Sequence, residues 1–284
     1  MNLPAAAPVG GHGPAAGSSS SRLQRALAGA RRLDRCALIL STVVGFPDRL
    51  TCRSVLHLIA QSADIVQLRV PFLDMVRDGP AVRQAARTAL QAGFRMPDVF
   101  AAARELGRGT RAAVLISSHW QPVHAYGAAR FAQHAANVGV DAVLIRDLPL
   151  DHAGPWRAIA RATGLGTIPL LAPTTSPDRL ARIVGHATGL VYAPATTGLT
   201  GNAEPVGPHL PDLTSQVRAL TSLAVAAATG LSTPEQVRTA AAWVDAVVVG
   251  SAIMRRIQAE PQTPLAAAAA AARDFASALY PKAP

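Results

Sequence analysis

Short apolar runs alternate with amphipathic segments along most of the chain. The runs are nearly continuous in alanine and branched aliphatic residues, which is typical of strands in a parallel sheet that is covered on both faces. There are eight of them, at residues 37–44, 64–70, 112–118, 140–146, 167–172, 189–194, 223–228 and 245–250. Eight strands that alternate with helices predict an α/β protein with the (β/α)8 TIM-barrel fold.

The segments between the runs carry helix start signals and helical spacing. Proline beside an acidic or hydroxyl residue precedes predicted helices at 99–106, 180–184 and 237–243. A doubly wound open sheet is the structural alternative, but it normally has a Gly-rich turn after its first strand. Residues 43–47 read V-V-G-F-P, which does not fit that turn. The barrel is therefore favoured.

Composition agrees with one large α/β domain. The chain has 284 residues, of which 50% are hydrophobic, enough to bury a large core. Aromatic residues make up only 4%, which speaks against a β-sandwich or propeller. We expect a single barrel domain over residues 22–280. Residues 1–21 are rich in Gly, Ala, Pro and Ser, and we expect them to form a disordered tail.

The remaining composition narrows the location and the partners. No apolar run is long enough to span a membrane, and the first residues lack the pattern of a secretory signal. Cys36 and Cys52 form neither a disulfide framework nor a metal motif, so we expect a cytoplasmic protein without a metal site. The net charge is +10, but the arginines are scattered, which argues against nucleic acid as a partner.

The strand ends predict a site for a phosphorylated small molecule. In barrels of this kind the site lies at the carboxyl ends of the strands, and the loops after strands seven and eight commonly bind phosphate. Gly250 and Ser251 end the eighth run and open a helix, whose N-terminal amides attract anions. Gly230, after the seventh run, lets the backbone approach a ligand closely.

Several segments, taken in chain order, resemble the α subunit of tryptophan synthase over residues 37–256. Residues 66–80 read V-Q-L-R-V-P-F-L-D-M-V-R-D-G-P, similar to the family's E-L-G-x-P-F-S-D-P-x-A-D-G-P. Further similar segments follow in the same register at 171–175, 192–201, 230–236 and 249–252. The resemblance implies a carbon–carbon lyase that cleaves indole-3-glycerol phosphate to indole and glyceraldehyde 3-phosphate. It also implies a β-subunit partner that holds pyridoxal phosphate, with no cofactor in this chain.

The resemblance assigns roles to several residues and reveals a departure. Gly201 joins Gly230, Gly250 and Ser251 in binding phosphate, and Asp78 corresponds to the carboxylate that takes the indole N–H proton. Tyr192 corresponds to a supporting tyrosine. Gln67 stands where the family has its catalytic glutamate. An amide has no titratable proton near neutral pH, so it cannot act as general acid or base.

Other departures make the predicted pocket more polar. Arg69 replaces a glycine two residues after Gln67, on the same inward face, and Arg146 replaces a small residue after strand four. Both are predicted to bind substrate, although Arg69 could instead pair with Asp74 or Asp78. The resemblance also places Pro71 and Asp74 at the interface with the β subunit.

Three interpretations follow from these departures. The chain is a lyase for indole-3-glycerol phosphate or a related phosphorylated substrate; or it is a lyase or aldolase whose substrate is more polar; or it is a non-catalytic α-like subunit that docks on a pyridoxal-phosphate β subunit and regulates it. The fold cannot decide among them, because function depends on the site.

Overall fold

The computed structural model describes residues 21–73, 78–197 and 204–280. In these ranges the strands are β1 Ala37–Val43, β2 Ile65–Arg69, β3 Ala113–Ser118, β4 Ala142–Ile145, β5 Gly166–Thr167, β6 Val191–Pro194, β7 Val225–Ala228 and β8 Ala246–Val249. They form one parallel sheet in the order β5-β4-β3-β2-β1-β8-β7-β6, which curls towards closure between β5 and β6. The predicted (β/α)8 barrel is confirmed.

Helices surround the sheet. Their bounds are α1 Arg22–Arg32, α2 Arg49–Ala60, α3 Pro80–Gln91, α4 Met96–Gly109, α5 Trp120–Tyr126, α6 Ala128–Asn137, α7 Gly154–Ala162, α8 Pro177–Val184, α9 His209–Leu220, α10 Pro234–Ala241, α11 Ser251–Ala259 and α12 Pro264–Ser277, with a 3-10 turn at Leu150–His152. The predicted helices at 99–106 and 180–184 lie within α4 and α8. The third begins earlier than predicted, because Thr233 and Gln236 form a capping box, and it ends before Trp243.

Strand alternation separates two layers of the core. Ile39, Ile65, Leu115, Leu144 and Tyr192 belong to the inner cluster, whereas the alternate positions pack with the surrounding helices. The register places Ser41 beside Gln67, and Arg69 beside Ser117. Polar side chains near the carboxyl ends of neighbouring strands are therefore brought into one small region.

The fifth strand is shorter than predicted. The apolar run at 167–172 led us to expect a full strand, but regular pairing covers only Gly166–Thr167. Pro169 has no N–H to donate, which interrupts the ladder. The Tyr192 N–H donates to the Pro169 carbonyl at 2.9 Å, and the Leu171 N–H donates to the Tyr192 carbonyl at 2.8 Å. The seam between β5 and β6 is thus closed by a bridge instead of a long strand pair.

The first helix is tied to the amino-terminal end of the barrel. The Leu23 N–H and the Val114 N–H each donate to the Asp141 carboxylate at 3.0 Å, so one side chain joins α1 to β3. The predicted tail lies outside the described residues except for Ser21, which caps α1. Within the described ranges, no helix is both long and apolar enough to cross a membrane.

Candidate functional site

A small polar cavity lies at the carboxyl ends of the strands. Its volume is about 40 Å³. The lining residues come from several strands and the loops after them: Ser41, Gln67, Arg69, Val82, Leu144, Arg146, Leu170, Tyr192, Ala228, Thr229, Gly230, Leu231, Val248, Gly250 and Ser251. Predicted substrate residues from β2 and from the segments that follow β4, β7 and β8 therefore share one cavity. Gly201 and Asp74 lie outside the described residues.

One side of the cavity, which we call the phosphate end, consists of Gly230, Gly250 and Ser251. Gly230 has φ +95°, and a Cβ there would lie 2.0 Å from the Thr196 Oγ1 atom, so only glycine fits. Gly250 caps α11, and Ser251 is the first residue of that nine-residue helix. The N-terminal amides of a helix carry partial positive charge and bind anions.

The loop after β7 is held in place by a side chain. The side-chain oxygen Oε1 of Gln236 accepts hydrogen bonds from the backbone N–H of Ser232 at 2.6 Å and from the backbone N–H of Thr233 at 2.9 Å. The Ser232 hydroxyl is buried and has no partner in the described part of the chain. A buried hydroxyl without a hydrogen-bond partner lowers the stability of the fold. Ser232 was not among the site residues predicted from the sequence. Ser232 follows Gly230 by two residues in this loop.

A second group, which we call the polar centre, consists of the lining residues Gln67, Arg69, Arg146 and Tyr192, together with Asp78, which pairs with both arginines. Within it the Gln67 amide is fixed at both ends. Tyr192 donates its hydroxyl proton to Oε1 of Gln67 at 2.8 Å, and Nε2 of Gln67 donates to the Ser41 hydroxyl at 3.0 Å. Burial raises the pKa of Tyr192, so its hydroxyl stays protonated and donates. The network holds the amide but gives it no proton to transfer.

Asp78 is paired with both arginines of the polar centre. Nη2 of Arg69 lies 2.6 Å from each carboxylate oxygen, and Nη2 of Arg146 lies 3.1 Å from Oδ1. The Asp78 side chain is 1% exposed and the Arg69 side chain 8%. Burial opposes ionisation of Asp78, but the Arg69 and Arg146 guanidinium groups outweigh it and hold the pKa of the carboxyl below its usual range. Asp78 is therefore an ionised, strongly paired carboxylate and a weak base.

Two further groups lie near the polar centre and were not predicted as site residues. The Ser117 hydroxyl, in register with Arg69, is buried without a partner among the described residues. His119 follows β3, and its ring centroid lies 5.2 Å from that of Phe72. Burial and the Arg146 guanidinium lower the pKa of His119, although Asp147 and Asp78 act in the opposite direction. A prediction of strand register would have placed Ser117 beside Arg69, and this is the signal that could have identified it as a site residue.

The predicted partner residues lie only in part within the structure. Pro71, two residues after the end of β2, is buried, and Leu73, two residues later, is 62% exposed. Pro71 fixes its own φ and biases Val70 towards an extended backbone, which sets the direction in which this loop leaves the strand. In the described part of this loop, a buried proline is thus followed two residues later by an exposed leucine.

The fold and the position of the cavity define a class: a (β/α)8 barrel protein with its polar site at the carboxyl ends of the strands, as in barrel enzymes. The family model described as tryptophan synthase alpha chain matches residues 27–279. A tryptophan synthase alpha chain of Thermosynechococcus vestitus is 34% identical over 251 residues, covering 88% of this chain and 94% of the relative. One from Mycobacterium ulcerans is 35% identical over 237 residues, covering 83% and 87%.

Comparison with solved structures leads to the same family. A tryptophan synthase structure from Mycobacterium tuberculosis has a TM-score of 0.85 at 30% identity, covering 93% of this chain and all of the other. A tryptophan synthase alpha chain structure from Legionella pneumophila has a TM-score of 0.81 at 28% identity, covering 92% and 97%. The chain belongs to the tryptophan synthase alpha chain family, which confirms the resemblance found in the sequence.

Proposed function

We propose that this chain is a carbon–carbon lyase of the α-subunit type that acts on a phosphorylated substrate whose reacting part is more polar than indole. The observation that carries the proposal is that the phosphate end and two arginines line the same cavity. Backbone amides at Gly230 and at the start of α11 suit a phosphate group. Arg69 and Arg146 suit oxygen atoms of a polar or anionic group, because guanidinium donors match such acceptors.

The polar centre argues against ordinary cleavage of indole-3-glycerol phosphate. Gln67 has no acidic proton, and Asp78 is held by two guanidinium groups. A substrate group that binds Arg69 and Arg146 would compete with Asp78 for them, which would release this carboxylate as a base. A flat apolar ring offers no such competition.

Binding of glycerol 3-phosphate tests the phosphate end. A ligand bound only by the folded protein raises its melting temperature in a saturable way. Ser251→Asp places a carboxylate where the phosphate would bind, and an acidic residue is favourable at a helix N-terminus, so the variant should fold. We expect it to lose the response.

Ala266→Asp is the matched control, because it adds the same charge to the first turn of α12, at a residue outside the cavity. This variant should keep the full response. The absence of a saturable rise in the unmodified protein, at ligand concentrations on the order of tens of millimolar, would refute the assignment.

The second candidate is a non-catalytic α-like subunit that docks on a β-type subunit and regulates it. The paired state of Asp78 and the amide at Gln67 favour it, because neither group is ready for proton transfer. Pyridoxal phosphate would belong to the partner, and both proteins would work in the cytoplasm. A regulator must stabilise one conformation of its partner over another.

The turnover of serine and indole by a β subunit from the same organism separates the two candidates. A regulatory subunit should co-elute with it on a sizing column and change its rate. Separate elution at micromolar concentrations with unchanged turnover would leave the lyase as the working assignment.

A further inference from the structure

A second cavity, which we call the outer crevice, lies on the outside of the sheet between α7 and α8. Its volume is about 340 Å³, within the usual range for small-molecule sites. Its lining includes Ile145, Trp156, Arg157, Ile168, Ile183 and His186. The short β5 and the small residues at its edges leave this space between two helices.

The inner walls of the outer crevice are apolar and fixed. Ile145, Trp156 and Ile168 are buried, and Ile183 is half-buried. The Trp156 ring is held by its neighbours, with its centroid 6.4 Å from that of Trp120 and 6.1 Å from that of Phe131. A wall held in this way does not need to be ordered when a ligand binds, which lowers the cost of binding.

The rim of the outer crevice is cationic. Arg157 is half-buried, and its hydrogen bond within the described residues runs from Nη1 to the Leu150 carbonyl at 3.3 Å. No carboxylate in the described part of the chain forms an ion pair with it. Arg179 also lines the crevice and pairs with Asp151. Burial lowers the pKa of His186, and the charges of Arg157, Arg161 and Arg182 lower it further, as expected where several guanidinium groups lie nearby.

Asp147 is the acidic residue in the lining. One of its carboxylate oxygens accepts a hydrogen bond from the backbone N–H of Trp120 at 2.7 Å. The Asp147 carboxylate is therefore already hydrogen-bonded to the first residue of α5. The crevice thus combines an apolar interior with a guanidinium group that has only a carbonyl partner among the described residues. A neutral apolar ligand would leave the Arg157 donors unused, and a small inorganic anion would leave the apolar walls exposed.

We propose that the outer crevice binds a small amphipathic carboxylic acid, with its aromatic or branched aliphatic body against Ile145, Trp156 and Ile168 and its carboxylate on Arg157. Guanidinium and carboxylate groups form short, charge-assisted hydrogen bonds, often in pairs. Burial of the hydrocarbon part removes both ligand and wall from water. The two cavities adjoin, because Arg146 and Leu170 line both, but Ile145, Trp156, Arg157 and Ile168 line only the outer crevice.

Calorimetric titration with 3-phenylpropanoate tests the proposal on the full chain. We expect one saturable site with a Kd below about 1 mM. Two probes separate its parts: 3-phenylpropan-1-ol keeps the ring without the charge, and propanoate keeps the charge without the ring. Each should bind at least about tenfold more weakly, because each loses one of the two interactions.

Variants locate the binding site. Arg157→Met should weaken 3-phenylpropanoate about tenfold and leave 3-phenylpropan-1-ol unchanged. Arg161→Met is the matched control, because Arg161 is an exposed residue one turn further along α7 and does not line the crevice. Ala187→Trp should fill the crevice and abolish binding of both aromatic probes.

Three results would overturn the proposal. These are the absence of saturable binding of 3-phenylpropanoate, equal affinities in the Arg157→Met and unmodified proteins, and displacement by glycerol 3-phosphate, which would place the probe in the other cavity. Melting temperatures of the variants show whether each has folded, and the Arg157→Met comparison stands even if Ala187→Trp does not fold.

Discussion

The phosphate end and the polar centre lie in the same cavity, but the first consists mainly of backbone and the second of side chains. The phosphate end is formed by the backbone at Gly230, which has a positive φ, and by the start of α11. The polar centre is formed by the side chains of Gln67, Arg69 and Arg146, which line the cavity. A site formed by backbone groups is retained in any sequence that keeps the fold. A site formed by side chains, in contrast, changes its chemistry with one or two substitutions.

The largest expected effect concerns this difference in chemistry. The unmodified protein should cleave indole-3-glycerol phosphate at least about a hundredfold more slowly than an ordinary member of the family, because loss of a general acid costs about two to four orders of magnitude. Measurement of indole release from both proteins checks this.

Gln67→Glu alone should restore little of the cleavage rate, since Arg69 would pair with the new carboxylate and lower its pKa. Gln67→Glu combined with Arg69→Gly should recover part of the rate. Full activity in the unmodified protein would show that the reaction does not need two free carboxylates.

The next effect concerns stability. Asp78→Asn leaves two buried guanidinium groups without their carboxylate and should lower the free energy of unfolding by about 3–5 kcal/mol. Asp151→Asn is the control, because Asp151 pairs with Arg179 and Arg182 at the surface. Urea unfolding should show a clear loss for the first variant and none for the second. Equal losses would mean that the pair at Asp78 is not effectively buried.

At the phosphate end, Gly230→Ala should cost about 2–4 kcal/mol, from backbone strain and from overlap with Thr196. In a Thr196→Ala background the cost should fall, because this change removes Oγ1 and Cγ2, which would lie 2.0 and 2.7 Å from the new Cβ. Part of it should remain, since φ stays at +95°. A double-mutant cycle of unfolding free energies measures this coupling, and strict additivity would contradict it.

The smallest expected effect is the pH dependence of the free energy of unfolding that the ion pair at Asp78 causes. The pKa of Asp78 is lower in the folded than in the unfolded protein, so the carboxylate stabilises the fold above the unfolded value of about 3.9. This stabilisation is lost as the pH falls through the lower folded-state pKa. The stability difference between the unmodified protein and Asp78→Asn should therefore be constant near neutral pH and shrink in acid. A difference that grows in acid would reverse the sign of the argument.

The sequence predicted the sheet well where strands are continuous and apolar. Near-continuous runs revealed all eight strands, because a strand covered on both faces leaves no room for polar alternation. The fifth was too long in the prediction, since periodicity does not register the missing N–H of Pro169. The ends of α10 were also displaced, because the pattern of apolar residues continues to Trp243 after the helix has ended.

The polar centre could be predicted only in part. The spacing of Gln67 and Arg69 by two residues indicated a shared face, and both line the cavity. The contact between Arg146 and Asp78 joins residues 68 positions apart, so it depends on how β2 and β4 are arranged around β3. The outer crevice had no signal in the sequence, because it results from space that neighbouring helices leave unfilled.

The short β5 also determines where the barrel opens most easily. Local opening requires the fewest hydrogen bonds to break where pairing is shortest, and here β5 and β6 meet through a bridge at Leu170 and Tyr192. Amide hydrogens along this seam should exchange with deuterium before those of β1, β2 and β3, whose pairing is longer. Because Tyr192 also holds Gln67, each such opening would briefly release the Gln67 amide from its hydrogen bond.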